Sequence, residues 1–531
     1  MMTRTLSGCL VTTVKSSGVG ISRLWDRFQV ELHGRFSIQR IEELREYYVQ
    51  VHWMRVLGVC LLTPVPALAV ITLADCIPLA PPTAGRDANY VYWVRLIPVV
   101  WILVGGAVQH FRCCLPGLPM SHGELAFIAL LATLAGTGLA YATSCFVGFP
   151  VPFNLVVQSF AILPVLIVAI RMLWRKSLRE KPSLRAELRQ QMLVLVGECV
   201  MTYVYPLYLF AILTMPALSQ SAFTLMLPII KMGVKNYFSR TLRRLDDLKP
   251  AFIVFNVDVF SAIYIANCLQ ATKSWRNTMI IMLIDIVQAA ISMYDVHVVL
   301  IEINTIVRVD LFDGSLLDLC VQAAANPQAR QELDRRVASA SSTQKKLVSG
   351  RLSSSAIKPI VIARPNSTQS KSPLVTNLPD SELDAKLRPS ECVRLAEKIT
   401  RVLYIAEFFL LIEFAEVMVP VVYGIYLLAM SHLPNRAYYP QLSSLDEEEL
   451  AHSVSAVMIN AGLEFASILV TGWYLGRQLK LSSLRLLAFA LEYQPALIHS
   501  SMTMWLSYVI QQSLVHSGVD FTLSFTWLHG G

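Results

Sequence analysis

The sequence predicts an all-α, polytopic membrane helix bundle of about 11 transmembrane helices, with a parallel internal repeat relating helices 5–7 to helices 9–11. Three observations carry that prediction. Of the 531 residues, 54% are hydrophobic and 15% are charged, against roughly 25% charged in soluble domains. Apolar runs recur at the length of about 20 residues that a helix needs to cross a bilayer. Lys and Arg gather in alternate loops between those runs, as the positive-inside rule requires of cytoplasmic loops. The formal net charge of +8 is therefore topological, and nucleic acid is set aside as a partner.

The elements follow in chain order. Residues 1–53 read as a polar, basic, cytoplasmic N-terminal region. Its first stretch, "MMTRTLSGCLVTTVKSSG", lacks the apolar core of a secretory signal peptide. In "SIQRIEELREYYVQV", Ile38, Ile41, Leu44, Tyr48 and Val51 recur at helical spacing, which predicts an amphipathic helix leading into the membrane. A first membrane unit, 54–174, holds spans near 56–76, 90–109, 125–146 and 154–174. A second, 175–302, holds spans near 192–213, 219–238, 251–271 and 278–301. A third, 399–515, holds spans near 402–430, 453–475 and 486–512, and 516–531 is a C-terminal tail.

The loops agree with an N-terminus inside. Loop 175–191 carries Arg175, Lys176, Arg179, Lys181, Arg185 and Arg189, and loops 239–250 and 476–485 are basic as well. The outside loops carry Arg86, then Lys273 and Arg276, then Arg436 beside the acidic Asp446–Glu449. Residues 303–398 begin helix-like around "LLDLCVQAAANPQARQELDRRV" and then turn rich in Ser, Thr, Lys and Pro. Too few large apolar residues remain to build a core, so this cytoplasmic loop is expected to be largely disordered and open to cytosolic partners. Asn366 heads an "NST" sequon but is expected to stay unmodified on the cytoplasmic side. The ten cysteines form no CxxC pair. Reduced thiols are the plain reading, with S-palmitoylation the alternative for adjacent Cys113 and Cys114.

The repeat is read at a constant offset of 218 residues. Residues 196–216 and 414–434 then share Glu198 with Glu416, Tyr205 with Tyr423, Tyr208 with Tyr426 and Pro216 with Pro434. "FNVDVFSA" (255–262) likewise aligns with "FALEYQPA" (489–496), setting Asp258 against Glu492. Both pairs of spans run in the same direction, so the symmetry axis lies along the membrane normal.

Chemistry in such a chain must sit on its intramembrane charges. Glu198, Asp258, Asp285, Glu407, Glu413, Glu416, Glu464 and Glu492 fall within spans, opposed at depth by Arg95 and Lys231. A charge there costs at least about 2.5–3.5 kcal/mol, so each must turn inward, pair, protonate or meet water. Glu413 and Glu416 lie three residues apart on one helix face. Two carboxylates that close in low dielectric cannot both ionise cheaply. The functional reading is a proton or cation path through Glu198, Asp258, Glu413, Glu416 and Glu492 where the repeats meet. The plain reading is interhelical glue. Lys231 is expected to neutralise Glu198 as a structural ion pair, Arg95 to pair with Asp75 or an interfacial phosphate, and Glu407 to snorkel to the interface. Prolines Pro64, Pro66, Pro206 and Pro420 are expected to interrupt helices.

No GxSxG, HExxH, Walker loop or CxxC pair is present, so neither an enzyme nor an ATP-driven pump is expected, and no cofactor or metal is called for. Several stretches carry a resemblance: "LLTPVPALAVITLADCIPLAPP", "ANYVYWVRL", "GFPVPF", "HLPNRAYYPQL" and "HSGVDFTLSFTWL". With the span layout they resemble large oomycete families of multi-pass transmembrane proteins. The resemblance covers most of the chain outside the first 30 residues or so and 330–390, and implies the membrane architecture but no substrate or functional residue. Two functions follow as expectations. One is a proton- or cation-coupled secondary transporter or permease of a small solute or ion. The other is a non-transporting scaffold or sensor in the bilayer that recruits partners through 303–398.

Overall fold

A computed structural model of the chain describes residues 29–115, 118, 120–216, 219, 223, 226–272, 287, 290, 291, 293, 294, 296–301, 303, 315–333, 335, 388–443, 445–520 and 525–529. Among these residues there is helix and no strand. The helices used below are α1 (Ile38–Gln50), α2 (Trp53–Asp75), α3 (Tyr90–Cys114), α4 (His122–Val147), α5 (Asn154–Leu173), α6 (Pro182–Thr214) and α7 (Met226–Thr241). Helix α8 runs Lys249–Ile253, Val254–Asp258 as a π-helical turn, and Val259–Thr272. Then come α9 (Leu316–Ala325), α10 (Pro389–Ser431), α11 (Glu447–Leu479), α12 (Ser483–Tyr493) and α13 (Pro495–Gln512).

Local chemistry places the helix starts. Ser37, Ser121, Ser315, Asp446 and Ser482 cap α1, α4, α9, α11 and α12 by accepting from a backbone N–H inside the first turn. Pro182, Pro389 and Pro495 open α6, α10 and α13, where the missing N–H would have had no partner. Among the described residues, five helices are long and apolar enough to cross a membrane: α2, α3, α4, α5 and α11. The chain is therefore all-helical, with several helices compatible with integral membrane placement. Exposed Met458, Ile459, Leu463, Phe465, Leu469, Val470 and Trp473 give α11 an apolar outer face suited to lipid.

Helix α10 is the centre of the bundle. From Ile399 to Ala415 every residue but Arg401 is buried, and the helix packs against α2, α8, α9, α11 and α12. The contacts between apolar helices use small residues. A side-chain carbon on Gly136 of α4 would stand 2.7 Å from Ile162 of α5, and one on Gly197 of α6 would stand 2.5 Å from Tyr237 of α7.

The polar connections sort into two ends. At one end, Arg40 of α1 donates to the Asp247 carbonyl, Arg45 pairs with Asp318, Arg35 pairs with Glu397, and Gln191 donates to the Cys114 carbonyl. These residues come from α1 and from the segments expected inside. At the other end, Asn435 ties the carbonyls of Asp75 and Ile77, His516 bonds the Ala80 carbonyl, and the Phe153 N–H donates to Gly518.

Several expectations are corrected. The span drawn at 486–512 is two helices, because Gln494, just before Pro495, leaves helical geometry (φ −130°, ψ 54°). Helix α2 is interrupted by a turn at Thr63 and Pro64, as expected, whereas α6 and α10 stay helical through Pro206 and Pro420. In keeping with its helix-like start, segment 303–398 contains α9, whose Leu317, Leu319, Cys320, Ala323 and Ala324 are buried, and its last residues belong to α10. Most of the span at 278–301, with Asp285, lies outside the described residues, as do residues 1–28 and the stretch 336–387 that contains Asn366.

Candidate functional site

The π-helical turn Val254–Asp258 sits in the middle of the bundle, all five of its residues buried. One extra residue in a turn shifts the register of the side chains that follow, and such turns recur at functional sites. Here the turn sends Asn256 and Asp258 into two different polar networks.

Asp258 is 0% exposed and lies between two lysines of α7. The ammonium nitrogens of Lys231 and Lys235 stand 2.8 and 3.0 Å from its Oδ1. The lysines are four residues apart, so one helical face presents both. Lys235 also pairs with Glu31 at 3.0 Å, and Lys231 reaches Glu416 of α10 at 3.4 Å. Glu413, one turn earlier on α10, hydrogen-bonds Ser467 of α11, and its Oε2 has no donor among the described residues. Glu464 of α11 is near enough for the charges of Glu416 and Glu413 to act on it. Among the described residues, Lys231 and Lys235 thus pair with Glu31, Asp258 and Glu416, and Glu413 and Glu464 stand beside Glu416. Carboxyl groups this close in a buried setting cannot all ionise cheaply, so the cluster is a place where a proton can be held.

Asn256 joins the second network. Its Nδ2 lies 3.3 Å from Ser501 Oγ, and its Oδ1 accepts from Trp505 Nε1 at 2.9 Å. Ser501 Oγ is 2.8 Å from His110 Nε2, and His110 Nδ1 is 2.6 Å from Glu198 Oε1. A continuous hydrogen-bonded string therefore runs from Glu198 through His110 and Ser501 to the turn that holds Asp258. Glu198 lines a cavity of about 110 Å³ between α3, α5, α6 and α13, with Gln158, Thr202, Trp505 and Tyr508 on its walls. Glu198 Oε2 and Gln158 Oε1 are buried acceptors without a donor among the described residues. Apolar walls with two open acceptors suit a small solute that brings its own donors.

Of the residues singled out in the sequence, Asp258, Glu413 and Glu416 come together with Lys231. Glu198 stands in the His110 string instead. The expected Lys231–Glu198 pair is replaced by Lys231 with Asp258 and Glu416, because α8 and α10 rather than α6 supply the facing carboxylates. Glu492 lies apart, 23% exposed at the α1 end, where Tyr47 donates to it at 2.6 Å and Arg55 pairs with it at 2.8 Å. Glu407 does not snorkel: it is 1% exposed, because Arg40 of α1 reaches it and pairs with it at 2.5 Å. Arg95 does pair with Asp75, in a cage completed by Tyr426, Tyr439 and Gln511.

Lys235, Glu31, His110 and Ser501 were not singled out. Lys235 had a signal, the spacing of four from Lys231 in an otherwise apolar stretch. His110 had none, because its partner Glu198 is 88 residues away. The chain matches no family model, no curated protein and no solved structure.

Proposed function

We propose that the protein is a proton- or cation-coupled secondary transporter or permease of a small solute. In this reading it has eleven spans, and the end that carries α1 faces the cytoplasm. The observation that carries the proposal is the buried cluster at the π-helical turn, where Lys231 bridges Asp258 and Glu416 and Lys235 bridges Asp258 and Glu31 inside a helical bundle. Protonating one carboxyl group frees a lysine to change partner. Lys231 already bridges Asp258 on α8 and Glu416 on α10, so a proton there changes the force between two helices. The string from Glu198 to Asn256 couples that turn to the cavity, where a solute would be held. Support for the eleven spans comes from the described helices, which cover every expected span except the eighth, and from the gathering of the expected inside segments at one end. The repeat rests on the offset alignment of Glu198 with Glu416.

A second reading, a membrane scaffold or sensor, is favoured by the way both ends are locked by buried pairs, Arg40 with Glu407 and Arg95 with Asp75. Proton flux separates the two. The full chain is reconstituted into liposomes loaded with a pH-sensitive dye, and a pH gradient is imposed with and without a panel of small solutes. Solute-dependent proton movement is expected, lost in Glu416→Gln and Asp258→Asn and retained in Glu492→Gln, with all three proteins folded. Equal flux in all variants, or none in wild type, would overturn the transporter reading.

A further inference from the structure

The end of the bundle that carries α1 has an open cleft of about 360 Å³ that the transport reading does not use. Its walls come from the end of α1, the start of α2, the start of α9 and the turn from α11 into α12. Arg45, Lys480 and Arg485 line it, with Tyr48, Trp53 and Ser482. Asp318 is the carboxylate on its wall, and it is already held by Arg45 at 3.0 Å and by Ser315 at 2.7 Å. Three cations against one carboxylate leave the cleft positive.

The cations are held in place but not used up. Arg485 gives one terminal nitrogen to the Tyr48 carbonyl at 2.5 Å, and its guanidinium lies 4.9 Å from the Trp53 ring centre. Its Nε has no acceptor among the described residues. Lys480 ends α11 in the left-handed conformation (φ 51°), which turns the chain sharply into α12. Its ammonium forms no ion pair or hydrogen bond among the described residues. A lysine after a helix C-terminus is commonly there for the helix dipole, but that role does not account for Arg45 and Arg485 lining the same cleft.

The height of the cleft identifies the ligand. Trp53 is the first residue of the apolar helix α2, and Lys480 follows the last residue of the apolar helix α11. Both helices leave the lipid layer at this level. Exposed Val49, Trp53, Met54 and Trp473 surround it, and Arg477 stacks over Trp473 at 5.6 Å. Tryptophan beside arginine and lysine at the end of an apolar helix is the composition of a membrane interface. We propose that this cleft binds the phosphate of an anionic lipid headgroup, with Arg45, Lys480 and Arg485 as its cationic contacts and Trp53 against the glycerol and upper acyl region.

The test uses the full chain in neutral detergent and follows thermal stabilisation and native mass spectrometry on addition of phosphatidic acid or phosphatidylcholine. Phosphatidic acid is expected to bind and stabilise, and phosphatidylcholine is not. Lys480→Gln and Arg45→Gln, both at exposed or half-exposed positions, are expected to weaken binding about tenfold each, the usual scale for one charge-assisted contact. Arg243→Gln/Arg244→Gln, which removes two exposed charges elsewhere at the same end, is expected to bind like wild type. Equal loss in that control would mean diffuse attraction to a basic face and would sink the proposal. So would full binding by the cleft variants. Tight binding of inorganic phosphate or glycerol phosphate, with no preference between the two lipids, would overturn the lipid assignment in favour of a soluble ligand.

Discussion

Arg40 is 2% exposed, and its guanidinium is held by Glu407 at 2.5 Å, the Asp247 carbonyl at 2.6 Å, and the rings of Tyr493 and Phe36 at 4.0 and 4.3 Å, with only its Nε lacking an acceptor among the described residues. Removing it leaves a buried carboxylate uncompensated, which costs about 3–5 kcal/mol. Arg40→Ala is therefore expected to lower the unfolding temperature in detergent sharply. Arg40→Met/Glu407→Met is expected to recover most of that loss, because an apolar pair of similar volume replaces a buried ion pair at little net cost. If the double variant is as unstable as the single, the pair contributes more than mutual neutralisation. His516 makes a pH prediction at the opposite end. It is 0% exposed, stacks on Tyr92, and donates from Nε2 to the Ala80 carbonyl at 2.8 Å. Burial, helped by the charge of Arg95, pushes its pKa down from 6.5 to about 4. Between those values the unfolded chain takes up a proton that the folded chain refuses. Stability is then present above pH 6.5 and falls as the pH drops toward 4, by at most about 1.4 kcal/mol per unit. Melting curves at pH 7 and pH 5 are expected to differ in wild type and to converge in His516→Asn.

At the scale of elements, the C-terminal turn Val515–Ser517 depends on Gly518, whose φ is +62° and whose missing side chain would stand 2.0 Å from the Val151 carbonyl oxygen. Gly518→Ala meets both a strained backbone and a collision. Gly85 has φ +82° but open space around it, so Gly85→Ala meets only the strain. Limited proteolysis is expected to release the C-terminal segment early in Gly518→Ala and not in Gly85→Ala. Elements were the scale best read from the sequence. Apolar runs of about 20 residues mark helices without reference to any partner, and Ser37, Ser121 and Asp446 cap helices by bonds to their own first turns. What could not be read were facts that depend on a distant partner. Glu407 looked like an interfacial acid because Arg40 lies 367 residues earlier in the chain. The charge of Lys231 could be seen, but its choice of Asp258 and Glu416 over Glu198 follows from which helices pack beside α7. The π-helical turn at Val254–Asp258 leaves no mark in an apolar stretch of ordinary composition. The apolar face of α1 was legible, but not its docking on α9.

At the scale of the molecule, the two-ended arrangement predicts sidedness. Cys76 and Cys145 are exposed at the end where Asp75, Asn435 and His516 meet. Cys320 and Cys392 are buried at the other end, and burial pushes the Cys320 thiol up to about 12. In sealed vesicles an impermeant maleimide is expected to label Cys76 and Cys145 from one side only. A cysteine introduced at exposed Arg243 is expected to react from the other side only. Labelling of all three from the same side would refute the span arrangement. The enclosure of α10 also bears on how such a chain is made. Its carboxylates Glu407 and Glu416 find their cations on Arg40 and Lys231, both of which leave the ribosome long before α10 does. The helix that lipid would accept least readily is therefore synthesised into a nest whose charges are already waiting. A nascent chain halted before Pro389 would leave Arg40 and Lys231 without Glu407 and Glu416, their partners on α10.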